Sequence, residues 1–208
     1  MTIRTLLSQN PIVPLATIAS VDDAVPLAEA LLRGGITIIE IGLRTACAAD
    51  AISEIRRSCP DIVVGAGSVR STADWQTIAA AGAQFAVSPG TTPDLLACAQ
   101  TWDLPFLPGA STVSEMMILA DAGYSIQKFF PAAAMGGIET INAIGGPLAE
   151  LNFCPSGGIN QDNLKAWLAL DNVIAVSGSW LFPEHAVASR NWEQITSLTR
   201  HALELLNG

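Results

Sequence analysis

The chain contains only two lysines, Lys128 and Lys165, and Lys128 stands where a lysine is costly. It lies in Tyr124-Ser-Ile-Gln-Lys-Phe-Phe-Pro131, a short apolar run with strand character, between Ile126 and Phe129-Phe130. An apolar wall favours the neutral amine, and a neutral amine can attack a carbonyl carbon. Taken alone, a snorkelling lysine or a buried ion pair accounts for the position equally well. A second run, Ile36-Thr-Ile-Ile-Glu-Ile-Gly-Leu-Arg-Thr45, adds an acid and a cation. Strand alternation puts Ile36, Ile38, Glu40 and Gly42 on one face. If that face looks inward, Glu40 projects into the interior and Arg44 stands at the rim. A carboxylate beside an amine in partly dry surroundings can move protons, and a guanidinium can grip a substrate carboxylate with two hydrogen bonds. A structural Glu40–Arg44 or Glu40–Lys128 ion pair competes for any one of these residues, though less well for the set.

Glycine-bearing turns supply the remaining candidates. Cys154-Pro-Ser-Gly-Gly-Ile-Asn160 and Val176-Ser-Gly-Ser-Trp180 sit at the ends of the last two strand-like runs. In a parallel barrel those loops are the usual phosphate cradle, because glycines let backbone N–H groups approach an anion. Glycines at strand ends are also common as plain tight turns, but glycine-bearing loops at both expected places favour the phosphate. Gly65-Ala-Gly-Ser-Val69 and Val87-Ser-Pro-Gly-Thr91 follow earlier strands; their small residues would leave room for a ligand, to which Ser68 could donate a hydrogen bond. An ordinary strand-to-helix turn explains them nearly as well. His185 and His201 have no carboxylate or cysteine partner at ligand spacing and read as surface or structural residues. Metal-dependent chemistry is therefore disfavoured, and no metal or cofactor is expected.

The elements that must position these groups alternate along the chain. Eight short apolar runs have strand character: Ile12–Ile18, Ile36–Ile41, Ile62–Gly65, Gln84–Val87, Pro105–Leu107, Ser125–Phe129, Leu151–Cys154 and Val173–Val176. Helical stretches follow them at Val21–Arg33, Ala46–Ser58, Thr72–Ala81, Pro93–Thr101, Val113–Ala122, Ile138–Ile144, Gln161–Ala169 and Trp192–Leu206. Gly34-Gly35, Gly82 and Gly123 fit left-handed C-caps, and Ser20, Ser71 and Asn160 fit N-caps. Eight βα units behind a short N-terminal helix predict one (β/α)8 TIM barrel domain over residues 1–208, with a doubly wound open sheet as the alternative. In such a barrel, polar groups at the C-terminal ends of strands are the functional ones.

Composition narrows the partners. Half of the residues are apolar and 14% are charged, which predicts a large buried core. The net charge of -9, with no cluster of Lys and Arg, speaks against nucleic acid. Cys47, Cys59, Cys98 and Cys154 lack zinc or disulfide-framework spacing and are read as reduced core thiols. With no apolar run long enough for a bilayer and no export-signal pattern after Met1, neither membrane nor secretion is expected, and the cytoplasm is the expected location.

Seven ordered pieces carry a resemblance that covers nearly the whole chain: Ile39-Glu40-Ile-Gly-Leu-Arg44-Thr45, Gly65-Ala-Gly-Ser68-Val69, Val87-Ser-Pro-Gly90, Pro108-Gly109, Lys128-Phe-Phe-Pro131, Pro155-Ser-Gly-Gly158 and Gly178-Ser-Trp180. In their order and spacing the chain resembles the bacterial 2-keto-3-deoxy-6-phosphogluconate aldolases, which also act on 4-hydroxy-2-oxoglutarate. The resemblance implies a class I aldehyde-lyase with Lys128 as the Schiff-base residue and Glu40 as proton carrier. It implies Arg44 and Ser68 on the pyruvate carboxylate, with Pro89 and Phe130 beside the pyruvyl group. Ser156, Gly157, Gly158, Gly178 and Ser179 would meet the phosphate end or nearby hydroxyls, and a homotrimer is implied. Ser68 and Ser156 stand where many relatives carry Thr, Gly42 where Thr is more usual, and Ala133-Ala-Met135 departs from a Glu-Ala-Asn pattern. Cleavage of the phosphogalactonate epimer, a phosphate-binding-barrel isomerase or synthase without an imine, and a non-catalytic sensor of a sugar-acid phosphate also fit parts of this set.

Overall fold

The computed structural model describes residues 1–207. Helix α1 (Ile3–Gln9) leads into strand β1 (Ile12–Ala16), then a 3-10 turn (Val21–Asp23) and α2 (Ala24–Gly34). The alternation continues with β2 (Ile38–Gly42), α3 (Ala48–Ser58), β3 (Val63–Gly67), α4 (Thr72–Ala80), β4 (Ala86–Val87), α5 (Pro93–Ala99) and β5 (Phe106–Leu107). It runs on through β6 (Gly109–Ala110), α6 (Val113–Asp121), β7 (Ile126–Phe129), α7 (Gly137–Ile144), β8 (Asn152–Pro155), α8 (Leu164–Leu168) and β9 (Val176–Gly178). Helices α9 (Glu184–Ala188) and α10 (Trp192–Asn207) follow.

The fold is mixed α/β, with a curled parallel sheet of six strands in the order β5-β4-β3-β2-β1-β9. A second parallel sheet has the order β6-β7-β8. Isolated parallel bridges, Phe153 with Val173 and Ser156 with Ser177, join the β8 edge to the segment containing β9. Every residue of β1 and β2 is buried, as expected of parallel strands covered on both faces. Among the described residues, no helix is long and apolar enough to cross a membrane.

Local chemistry accounts for the boundaries. Ser71 caps α4 by accepting the Asp74 N–H, and Thr112 and Glu115 form a reciprocal capping box on α6. Gly35, Gly82 and Gly123 all have left-handed backbone after their helices, where a side chain would be strained. Ser20 precedes only the 3-10 turn, and its side chain makes no capping bond. Asn160 does not cap α8: its side-chain Oδ1 accepts from the backbone N–H groups of Asp162 and Asn163, winding a turn that delays the helix to Leu164. The expected fifth strand, Pro105–Leu107, is found at Phe106–Leu107, and an unexpected short strand, β6, follows Pro108, which has no N–H for a ladder; the Pro108 carbonyl nevertheless accepts the Lys128 N–H at 2.8 Å. The last strand starts three residues later than expected, because its pairing with Ile12–Pro14 runs through Val176–Gly178. Helix α9 was not foreseen, since only Ala186 of its five residues is buried and its apolar signal is slight. Cys59 and Cys154 are core residues, whereas Cys47 and Cys98 are half-buried, and all four are unpaired thiols.

Candidate active site

Strand β2 carries Glu40 and β7 carries Lys128, and both side chains meet in the same buried interior. Lys128 is 4% exposed and Glu40 is 1% exposed, with Nζ 3.4 Å from Oε1. Lys128 lies in register with Gly109 on one side and Cys154 on the other. Its Nζ is 5.8 Å from the centre of the Phe130 ring. The second carboxylate oxygen of Glu40, Oε2, accepts a hydrogen bond of 3.1 Å from Ser177 Oγ. Burial pushes the Cys154 thiol up to about 12, with Lys128 pulling it down and Glu40 pushing it further up. Near neutral pH that sulfur is S–H, so no thiolate competes with the amine as nucleophile.

Glycines shape this centre through what they leave empty. A Cβ on Gly67 would run into the Glu40 carboxylate, and one on Gly65 would run into the Phe85 ring. Two of the small residues in the run expected to make room for a ligand, Gly65 and Gly67, thus make room for the protein's own side chains. A Cβ on Gly178 would meet the Trp180 ring, and one on Gly109 the backbone of Ser88 and Pro89. The Gly109 approach is pinned by Ser88 Oγ, which accepts the Gly109 N–H at 3.0 Å, and by Thr91 Oγ1, which donates to the Gly109 carbonyl at 3.0 Å.

At the rim Arg44 is exposed, and its Nε donates to Ser68 Oγ at 3.3 Å. Ser68 has φ 59, a left-handed conformation that costs a non-glycine residue roughly 1–2 kcal/mol. A cavity of about 360 Å³ is lined by Leu43, Arg44, Ser68, Arg70 and Pro89. Phe130 is half-buried next to Lys128 in the chain. Ser156 is buried, and Gly157 and Gly158 adopt φ 95 and 83, values open to glycine. Their carbonyls are held by the Ala133 N–H at 3.0 Å and the Asn163 side-chain amide at 2.8 Å. Gly178 is buried, and exposed Ser179 contributes to a second cavity of about 780 Å³ that also takes in Thr17, Phe182 and Arg190. Both cavities open at C-terminal strand ends, one beside β2 and β3 and the other beside β1 and β9. His185 and His201 are exposed on α9 and α10, and Lys165 is exposed on α8.

Ser177 and Arg70 escaped the reading of the sequence. Ser177 fell outside the last strand because that strand was placed three residues early; with the correct register, alternation alone would have turned it inward with Glu40. Arg70 lies two residues after Ser68 and looked like the lead-in to a helix, although it contributes to the lining of the Arg44 cavity.

The chain matches the family model described as KDPG and KHG aldolase over residues 3–198. It is 44% identical over 201 residues to the KHG/KDPG aldolase of Escherichia coli K12, covering 97% of this chain and 94% of that one. It is 46% identical over 198 residues to the 2-dehydro-3-deoxy-phosphogluconate aldolase of Dickeya dadantii, covering 95% and 93%. The crystal structure of KDPG aldolase from Legionella pneumophila, with pyruvate captured at low pH as a covalent carbinolamine intermediate, superposes with a TM-score of 0.95. That pair is 42% identical, covering 97% of this chain and 98% of the other.

Proposed function

Because the chain belongs to the KDPG and KHG aldolase family, we propose that it is a class I aldolase. It cleaves 2-keto-3-deoxy-6-phosphogluconate to pyruvate and glyceraldehyde 3-phosphate, and also splits 4-hydroxy-2-oxoglutarate to pyruvate and glyoxylate. One observation carries this reading: the Lys128 amine and the Glu40 carboxylate lie 3.4 Å apart, buried together. Lys128 Nζ attacks the C2 carbonyl, giving a carbinolamine that loses water to a protonated imine. The imine draws the electrons of the breaking C3–C4 bond into an enamine, while the C4 hydroxyl gives up its proton and the aldehyde leaves. Glu40 relays that proton and returns one to C3; hydrolysis of the imine then frees pyruvate.

Arg44 and Ser68, already joined at the rim, hold the C1 carboxylate, and Pro89 and Phe130 flank the pyruvyl carbons. At the other end, Ser156, Gly157, Gly158, Gly178 and Ser179 take the phosphate or the hydroxyls next to it. The two sheets form one (β/α)8 barrel domain over residues 1–208: β5 and β6 count as one strand broken at Pro108, and the bridges from β8 close the ring onto β9 and β1. The buried, unpaired Cys59 and Cys154 suit a reducing cytoplasm.

The working assembly is a homotrimer. The outer face of α6, with Val113, Met117 and Ile118 exposed at 43%, 52% and 60%, supports burial of surface against another copy. Sedimentation equilibrium is expected to give three chains per particle, and a single-chain mass would contradict the assembly.

Pyruvate release, followed by a coupled dehydrogenase, tests the substrate assignment. Both substrates should be cleaved and a chelator should change neither rate. Removing the phosphate from the sugar acid should lower kcat/KM about 100-fold, since binding energy from the remote end is used at the reacting carbon. Failure to release pyruvate from either substrate would overturn the assignment.

A further inference from the structure

The two oxygens of the Glu40 carboxylate have different partners. Oε1 faces Lys128 Nζ at 3.4 Å, whereas Oε2 accepts a hydrogen bond from Ser177 Oγ at 3.1 Å. Ser177 is fully buried and belongs to β9, two places from β2 in the sheet, with β1 between them. In register, Ser177 lies beside Val13 and Glu40 beside Leu15, which brings both side chains to the same inner face. The Gly67 position leaves just the space that the carboxylate fills. Glu40 is therefore held between Lys128, a bare glycine and one hydroxyl. Ser177 occupies one lone-pair site of Oε2 and stabilises charge there, while Oε1 accepts from Lys128 Nζ, a donor that loses two of its N–H groups when the imine forms and so leaves Oε1 the easier oxygen to protonate.

We propose that Ser177 is a positioning residue for the aldolase reaction: by donating to Oε2 it fixes the Glu40 carboxylate and leaves Oε1, the oxygen nearest the reacting lysine, to carry the proton. This rests on the aldolase reading given above. In the enamine step the proton leaves Oε1 for C3 as the enamine electron pair forms the new C–H bond, and the iminium is restored. No oxidant or further reactant enters. Among the described residues, Lys128 from β7 and Cys154 from β8 are the titratable groups whose charge acts with that of Glu40, while Gly67 of β3 and the Ser177 hydroxyl of β9 lie against its carboxylate.

Ser177→Ala and Ser177→Gly, made in the full-length protein, test this with pyruvate alone. Borohydride reduction in the presence of saturating pyruvate counts the competent sites, and proton NMR in heavy water measures exchange of the pyruvate methyl hydrogens per counted site. A loss of folded protein lowers the count but not the rate per site. Both variants should still trap pyruvate on Lys128, with the pyruvate concentration for half-maximal exchange within twofold of the parent. Exchange per site should fall about tenfold, the scale of one lost hydrogen bond to a charged group. Exchange unchanged in Ser177→Ala, a half-saturation that rises in step with the loss, or a slow Ala variant beside a Gly variant at the parent rate would each overturn the proposal. If the parent protein traps nothing at Lys128, the aldolase reading itself fails and Ser177 has no proton carrier to position.

Discussion

Lys128→Arg is expected to abolish pyruvate release, lowering kcat/KM by at least about 10⁴-fold, or ~5 kcal/mol of transition-state stabilisation. Arginine keeps a positive charge near Glu40, so any function that needs only a cation would survive the change in part. Guanidinium stays protonated and delocalised and does not form the imine. The two mechanisms therefore separate on a single substitution: an isomerase or synthase that uses Lys128 for electrostatics retains measurable turnover, and an imine enzyme retains none. Lys128→Ala would be the weaker experiment, because it leaves the Glu40 carboxylate buried without its cation and confounds catalysis with stability. A coupled assay on Lys128→Arg, with circular dichroism to confirm the fold, reads the result. Residual turnover at a few per cent of the parent would contradict the imine.

Glu40→Gln should produce the next largest loss, about 10²- to 10⁴-fold in kcat, the usual worth of one positioned proton carrier. Glutamine has the same shape, fits the space that Gly67 leaves, and keeps an oxygen to accept the Ser177 hydroxyl. What it removes is the ability to take up and release a proton. KM should change little, because Glu40 is not assigned to the grip on the substrate carboxylate. Trapping of pyruvate on Lys128 should persist but slow, since the amine is still in place while the loss of water from the carbinolamine is unassisted. Steady-state rates and the time course of trapping, measured on the same preparation, check both parts. A Gln variant with kcat near that of the parent would reassign the proton transfers to another group or to water.

These two residues were legible from the order of the amino acids because each depends on a short-range rule. Period-two alternation turned Glu40 inward with Ile36 and Ile38, and the apolar flanks of Lys128 marked it as unusual without any knowledge of its partner. Their meeting could be raised only as one pairing beside Glu40 with Arg44, since 88 residues separate them and only the strand order sets the distance. The glycines were harder still. Gly67 reads as an open turn until the neighbouring strand is in place, and only then is its missing side chain seen to house a carboxylate. Register errors propagate in the same way. A last strand placed three residues early put Ser177 in a loop, although the pairing of Val13 with Ser177 fixes it in the ladder. The short strand Gly109–Ala110 after Pro108 was missed, because two small residues behind a proline give no strand signal. Helix α9 offered too little apolar surface for any periodic signal.

Covalent trapping tests the central claim most directly. The parent protein is incubated with isotopically labelled pyruvate, reduced with borohydride, digested, and its peptides are weighed and sequenced by mass spectrometry. The chain contains its own control, because Lys165, the other lysine, is exposed on α8. One label per chain is expected, carried by the peptide that contains Lys128 and lost when substrate is omitted. Unlabelled Lys128 after reduction, or label on Lys165 instead, would contradict the account at its foundation.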